Sequence, residues 1–297
     1  MLKDSEQEVR SCAVMKLPEL CNYLSDSIIQ NKIVLNLTQL ATDASLHVRL
    51  SLAQTICKIP IRNDPNFFGK SLLPIFQTLF KDEVTEVRVA LIQNISFLAG
   101  VLDKQQIKVH LLPLLFAITN DKQWRSKLTL LEILPQLCKD LGFEMFKEEF
   151  LNLINGFCLD HVQAIRNQAI EDLCQLHATF GPEKMNEILE NTYDELLKSS
   201  NYIYRVTALQ AVAKFRKQLD KQQLYSLIDK AISVAGSDKV PNVRFNLVKM
   251  LEGTADILKE KQGLWNSAKQ TLTGLKNDED IDVSYFAKTA LEKTFQF

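Results

Sequence analysis

Breakers are scarce in this sequence: 9 glycines and 8 prolines among 297 residues leave little to interrupt long helices. No Gly/Pro/Ser-rich linker or run of like charge divides the chain, although its length exceeds one ordinary globular core. No apolar run reaches the roughly 18 residues that a membrane span needs, and "MLKDSEQEVR" lacks the apolar centre of a signal peptide. The expected location is the cytoplasm, with the nucleus as a second compartment, and no membrane partner is expected. The six cysteines, Cys12, Cys21, Cys57, Cys138, Cys158 and Cys174, form no C-x-x-C pair, so buried free thiols are expected rather than disulfides or a metal site. Excess charge is missing too. With 35 basic against 36 acidic residues the net charge is -1, which argues against a nucleic-acid partner.

What is present is a repeat. Taking an acidic residue as position zero, anchors fall at Asp4, Asp43, Asp82, Asp121, Asp160, Ser199, Asp238 and Asp278, a spacing of 39 six times and then 40. An apolar-basic pair follows at plus five and plus six, as in Val87 and Arg88. Apolar residues continue at plus five, nine, thirteen and sixteen: Val48, Leu52, Ile56, Ile59, then Val87, Leu91, Ile95, Leu98, then Ile165, Ala169, Leu173, Leu176. Steps of four, four and three trace one face of an α-helix. A second stripe precedes each anchor at minus ten, six and three, as in Leu72, Phe76, Leu79 and in Ile228, Ile232, Ala235. Each unit is therefore a helix pair joined by a turn at the anchor. A pair with one apolar face cannot bury it alone, so the pairs must stack on a shared core.

The period near 39 resembles HEAT repeats rather than the shorter ankyrin or TPR units. The fold class expected is all-α: a right-handed α-solenoid of about eight stacked HEAT repeats over residues 1–297, the first incomplete. The resemblance implies a ladder between neighbouring turns, with Asp43, Arg49, Asp82 and Arg88 among its members. At the far end Ser284 stands at the ladder arginine's place. Before Asp4 there is almost no first helix, so the stripe Val9, Ala13, Leu17, Leu20 opens the array without a polar cap. The expectation is a chain similar to the later part of a longer array, either a fragment or a natural short form.

Several turns carry more than the repeat pattern. "NDKQWRSK" (120–127), "LDHVQAIR" (159–166), "SNYIYRV" (200–206), "PNVRFN" (241–246) and "DVSYFAKTAL" (282–291) follow one another at one-repeat spacing. In that order they resemble the C-terminal repeats of the scaffold (A) subunits of protein phosphatase 2A. The earlier "DSEQEVR", "DASLHVRLSLA" and "DEVTEVRVALI" resemble the middle repeats, so the likeness covers the whole chain, about the last eight of fifteen repeats. It implies a protein without catalysis of its own that holds a phosphatase 2A-type catalytic subunit on the turns of residues 105–297. It also implies flexing that positions a B-type regulatory subunit.

Trp124 stands at plus three, where a core residue is not needed, with Arg125 beside it; Tyr202 takes the same place two repeats on, with Ile203 and Arg205. Trp, Tyr and Arg dominate interface hot spots because they bury large area and keep a polar handle. His161, Val162, Asn242, Phe245 and Tyr285 complete the candidate partner-binding set. Each has a structural reading as well. Arg205 is also a ladder residue, Phe245 and Phe286 fall within second helices, and Trp265 reads as a packing residue in the loop between the last two repeats. His47, His110, His161 and His177 lie in different repeats, with no H-E-x-x-H, G-x-S-x-G or phosphate-cradling glycine loop. No enzyme activity, cofactor or metal is therefore expected. The alternative is another HEAT adaptor, of the nuclear-transport or trafficking type, binding a peptide on its concave face, where Gln93, Asn94, Gln168 and Gln210 point.

Overall fold

The computed structural model describes residues 1–60 and 67–296. Among them every regular element is helical, and the backbone contacts gather into two compact units, Met1–Leu153 and Ile154–Phe297. The division falls inside the helix Leu151–Cys158, so it does not coincide with a boundary of the sequence repeat.

In the first unit the second helices of successive repeats, Gln7–Met15, Leu46–Thr55, Thr85–Asn94 and Trp124–Leu141, pack each against the next. In the second unit Gln163–Phe180, Tyr202–Phe215, Pro241–Leu258 and Ile281–Lys293 do the same, with Pro182–Leu197, Lys221–Ala235 and Gln262–Leu275 as the first helices between them. The periodic positions make the core: Val48, Leu52, Ile56, Val87, Leu91, Ile95, Ile165, Ala169 and Leu173 are fully buried. The preceding stripe is buried at Leu72, Phe76, Leu79, Ile228 and Ala235. Ile232 is half-buried. Truncating one of these side chains, Leu91→Ala for example, removes apolar contact and leaves a cavity worth about 2–5 kcal/mol.

The opening repeat departs from the expected stripe. Val9 and Ala13 are half-buried and Leu20 is 49% exposed, while Val14 and Leu17 are buried, and Gln7–Met15 packs against Leu46–Thr55. Trp265 is not in a connecting loop but in the first turn of Gln262–Leu275, buried and stacked on Phe295 with ring centroids 4.3 Å apart. Five of the six cysteines are buried, and Cys12 is exposed. Burial holds the Cys57 and Cys158 thiols well above the usual range and pushes Cys174 up to about 12.

Two features were invisible to periodicity. A five-residue π-helical turn begins at Ile29, Phe68, Ile107 and Phe146, once per repeat and 39 residues apart, in the first helices of the first unit. At Pro74 and Pro113 the loosened turn lies where a proline without an N–H enters the next helix; the other two have no proline there. The second feature is a pair of glycines, Gly142 and Gly181, at φ 87° and 85°. With ψ of 167° and 163°, each ends one long helix and starts the next in a region essentially reserved for glycine.

Candidate partner interface on the intra-repeat turns

The turns are built by two side chains working in opposite directions. The anchor aspartate turns back on its own repeat: Oδ1 of Asp43, Asp82, Asp121, Asp160, Asp238 and Asp278 accepts the backbone N–H two residues on at 2.8–2.9 Å. This closes the bend ahead of the second helix. The arginine at plus six then reaches forward to the next anchor. Arg10, Arg49 and Arg88 in the first unit place Nε 2.6–2.9 Å from Oδ2 of Asp43, Asp82 and Asp121, with Nη2 on Oδ1 at 2.8–3.3 Å. Arg205 and Arg244 do likewise to Asp238 and Asp278 in the second unit. The third nitrogen, Nη1, donates to the carbonyl of the arginine's own anchor at 2.6–2.8 Å. Such forked, charge-assisted bonds need arginine's geometry.

The electrostatics follow from the contacts. The Arg10 guanidinium, opposed by burial, holds the Asp43 carboxyl below the usual range, and Arg244 does the same to Asp278. At Asp121 and Asp238 burial pushes up, yet the hydrogen bonds received prevail and the net direction is down. Arg49 and Arg244 are raised by the same bonds. Arg166 behaves oppositely: burial lowers it. Its rung faces Ser199 rather than an aspartate, and its Nε donates to Thr207 Oγ1 at 2.8 Å instead. At the end of the second unit Ser284, standing at the ladder place, donates Oγ to Lys276 O at 2.7 Å.

Against this frame the candidate residues separate. Trp124 opens the helix Trp124–Leu141 and is 38% exposed, with the Arg125 guanidinium 5.2 Å from its ring centroid. Beside it an open cleft of about 690 Å³ is lined by Gln77, Phe80, Arg88, Leu114, Asn120 and Gln123. In the second unit Tyr202 opens its helix behind the cap Asn201, whose Oδ1 accepts Ile203 N–H at 3.0 Å, and is 40% exposed. Ile203 is half-buried. Arg205 has Nε, Nη1 and Nη2 all engaged in its rung and its own turn. His161 is exposed, with Nδ1 3.2 Å from Asp160 Oδ1, and Val162 is half-buried as the residue preceding the helix.

Asn242 is exposed and accepts from Asn246 Nδ2, which in turn lies beside Gln210. Phe245 is half-buried edge-on to Phe286 at 5.2 Å; Tyr285, 62% exposed, meets Phe286 at 5.3 Å, and the Lys249 ammonium sits 3.8 Å over the Phe286 ring. These form one aromatic-amide patch on the second helices. Two exposed residues at the plus-three place escaped the sequence reading, Leu46 and Ile281, the latter 82% exposed. Reading that single column down every repeat would have found both. Among the described residues no group of three or more His, Cys, Asp or Glu is arranged to hold a metal, and no helix is long and apolar enough to cross a membrane.

Stacked hairpins stapled by forward-reaching arginines define a HEAT-repeat protein. The chain belongs to the family described as PIK3R4-like, middle domain, whose model matches residues 66–234, more than half of its length; residues 1–62 match the PPP2R1A-like HEAT repeat. It is 30% identical over 265 residues to the human serine/threonine-protein phosphatase 4 regulatory subunit 1, covering 84% of this chain and 27% of that protein. To the beta isoform of the human 65 kDa regulatory (A) subunit of serine/threonine-protein phosphatase 2A it is 34% identical over 100 residues, 32% of this chain and 17% of that one. The chain thus spans 27% and 17% of these two relatives, both of which are named as regulatory subunits of serine/threonine-protein phosphatases. Among solved structures, the karyopherin Kap121p bound to the extreme C-terminus of the protein phosphatase Cdc14p aligns with a TM-score of 0.63 at 17% identity, over 98% of this chain and 32% of that one. Cex1p aligns with 0.57 at 12% identity, over 99% and 55%. At those identities the shared property is the fold.

Proposed function

We propose that this chain is a non-catalytic scaffold segment that holds the catalytic subunit of a phosphatase 2A-type serine/threonine phosphatase on its intra-repeat turns, in the cytoplasm or nucleus, and that its further partner is a B-type regulatory subunit. The observation that carries the reading is an exposed large aromatic as the first helical residue after the turn, Trp124 in one unit and Tyr202 in the other. The core does not use these rings, and each stands next to a turn already fixed by its aspartate, serine or asparagine, so little further ordering is needed on binding. The relatives named as phosphatase regulatory subunits support the same class of partner. In a titration of the whole chain against a phosphatase 2A catalytic subunit, Trp124→Ala and Tyr202→Ala, tested separately, each weaken binding by at least about 2 kcal/mol, roughly thirtyfold. Unchanged affinity in both, with helicity and melting intact, removes the proposal.

One observation favours a second reading. The patch of Tyr285, Phe286, Phe245 and Lys249 with the Asn242, Asn246 and Gln210 amides suits a peptide laid across second helices, as an adaptor of the nuclear-transport or trafficking type would use. Loss of partner binding on Tyr285→Ala, without loss on Tyr202→Ala or Trp124→Ala, would favour that alternative.

A further inference from the structure

The rung between Arg166 and Ser199 is incomplete in a specific way. In the rungs formed by Arg10, Arg49, Arg88, Arg205 and Arg244, Nη2 donates to Oδ1 of the next anchor. Of the three bonds of the pattern Arg166 keeps only the one to its own anchor's carbonyl. Nη1 donates to Asp160 O at 2.9 Å and His161 O at 3.1 Å, and Nε is diverted to Thr207 Oγ1. Its Nη2 donates to no described residue, and among the described residues no carboxylate forms an ion pair with this side chain, whereas Arg205 and Arg244 each have one; the residue is 5% exposed, and Nη2 is not one of the buried atoms left without a partner. A guanidinium held by neutral acceptors alone lacks the forked, charge-assisted contact that the other rungs have.

Opposite stands Ser199, half-buried between the exposed Lys198 and Ser200. Its hydroxyl already takes over one duty of the missing aspartate, accepting the Asn201 N–H at 3.2 Å, and its carbonyl accepts Arg205 Nη1 at 2.8 Å. What serine cannot supply is the negative charge. A phosphate on its Oγ would supply charge and three acceptor oxygens, at the register position where a carboxylate meets each of the other arginines. Arg205 Nη1 already donates to the carbonyls of that turn, and Arg166 reaches Thr207 on the helix that the turn leads into.

We propose that Ser199 is a phosphorylation site and that its phosphate closes the open rung on Arg166. In the modification Ser199 Oγ attacks the γ-phosphorus of a nucleoside triphosphate bound to a protein kinase. The Oγ–P bond forms, the bond from γ-phosphorus to the β,γ-bridging oxygen breaks, the hydroxyl proton passes to the kinase's base, and the nucleoside diphosphate leaves. The product charge is then held by Nη2 of Arg166, in the way that the aspartates are held elsewhere. The state of Ser199 thereby sets how firmly the turn of one repeat grips the next within the second unit. This inference does not depend on which protein the turns bind.

The full chain with phosphoserine encoded at position 199 tests it. Its melting temperature rises by about 2–4 °C over the unmodified chain, the effect of roughly one good charged contact in a domain of this size. The rise disappears in Arg166→Gln and is partly kept in Arg166→Lys. Because Arg166→Gln could fold poorly, a second readout uses the otherwise unaltered phosphoprotein: by phosphorus NMR its second phosphate ionisation lies below the ordinary value of about 6. Phosphopeptide mapping of the chain from its own cells, with phosphatases inhibited, finds the modified serine. The proposal is overturned by a lowered or unchanged melting temperature, by an ordinary phosphate ionisation, or by no phosphate at Ser199 in the cellular chain. It is also overturned if inorganic phosphate added to the unmodified chain gives the same rise, since the turn would then be a site for free anions.

Discussion

At the residue scale the ladder is a problem of matching forks. Arg88 donates through Nε and Nη2 to Asp121 and through Nη1 to Asp82 O, so one side chain fixes both its own turn and the next. Arg88→Ala leaves the Asp121 carboxylate, only 16% exposed at its side chain, without its cation, and the expected loss in urea unfolding is about 1.5–3 kcal/mol. Arg88→Lys recovers only part, because an ammonium cannot span two carboxylate oxygens and a carbonyl at once. Full recovery by lysine would show that charge alone matters. The anchor and the plus-six arginine were legible in the sequence, since both repeat with the period. The inward duty of the aspartate, with Oδ1 on the backbone two residues on, was not, because any polar residue at position zero satisfies the same count. The diversion of Arg166 to Thr207 was hidden for the same reason: it needs two helices in space.

At the level of elements, the helix pairs followed from stripes of four, four and three, and the buried residues at those positions bear the stripes out, with Leu20 and Ile232 less covered than periodicity implied. The joints were harder to read. At Gly181 the backbone passes from Gln163–Phe180 into Pro182–Leu197 with a single intervening residue, at φ 85°. Nothing crowds an added Cβ there, so the cost of Gly181→Ala is purely conformational, about 1–3 kcal/mol. A melting curve within a few tenths of a degree of the parent would contradict it. Gly142 provides an internal control in the other unit, with the same torsions and equally open surroundings. The π-helical turns were beyond sequence reading, because one extra residue per turn leaves the spacing between anchors unchanged.

For the molecule as a whole, 39-residue periodicity reads as one uninterrupted array, whereas the contacts gather into two units that divide within Leu151–Cys158. Periodicity reports what each hairpin must bury and says nothing about how evenly contacts are distributed along the stack. Both units nonetheless share one chemical vulnerability. The carboxyls of Asp43 and Asp121 in the first unit, and of Asp238 and Asp278 in the second, are held below their ordinary range. A depressed folded-state pKa stabilises the fold wherever the carboxyl is ionised in both states, and that stabilisation is lost as pH falls from the unfolded value, about 3.9, through the folded one. Melting temperature is therefore expected to be nearly flat with respect to these groups from about pH 5 to 8 and to fall steeply below about pH 4. Asp278→Asn, which cannot gain a proton there, lowers the plateau and makes the acid limb shallower. Circular dichroism melts of parent and variant across this range decide it: an acid limb equally steep in both would mean that ladder carboxylates do not govern acid unfolding.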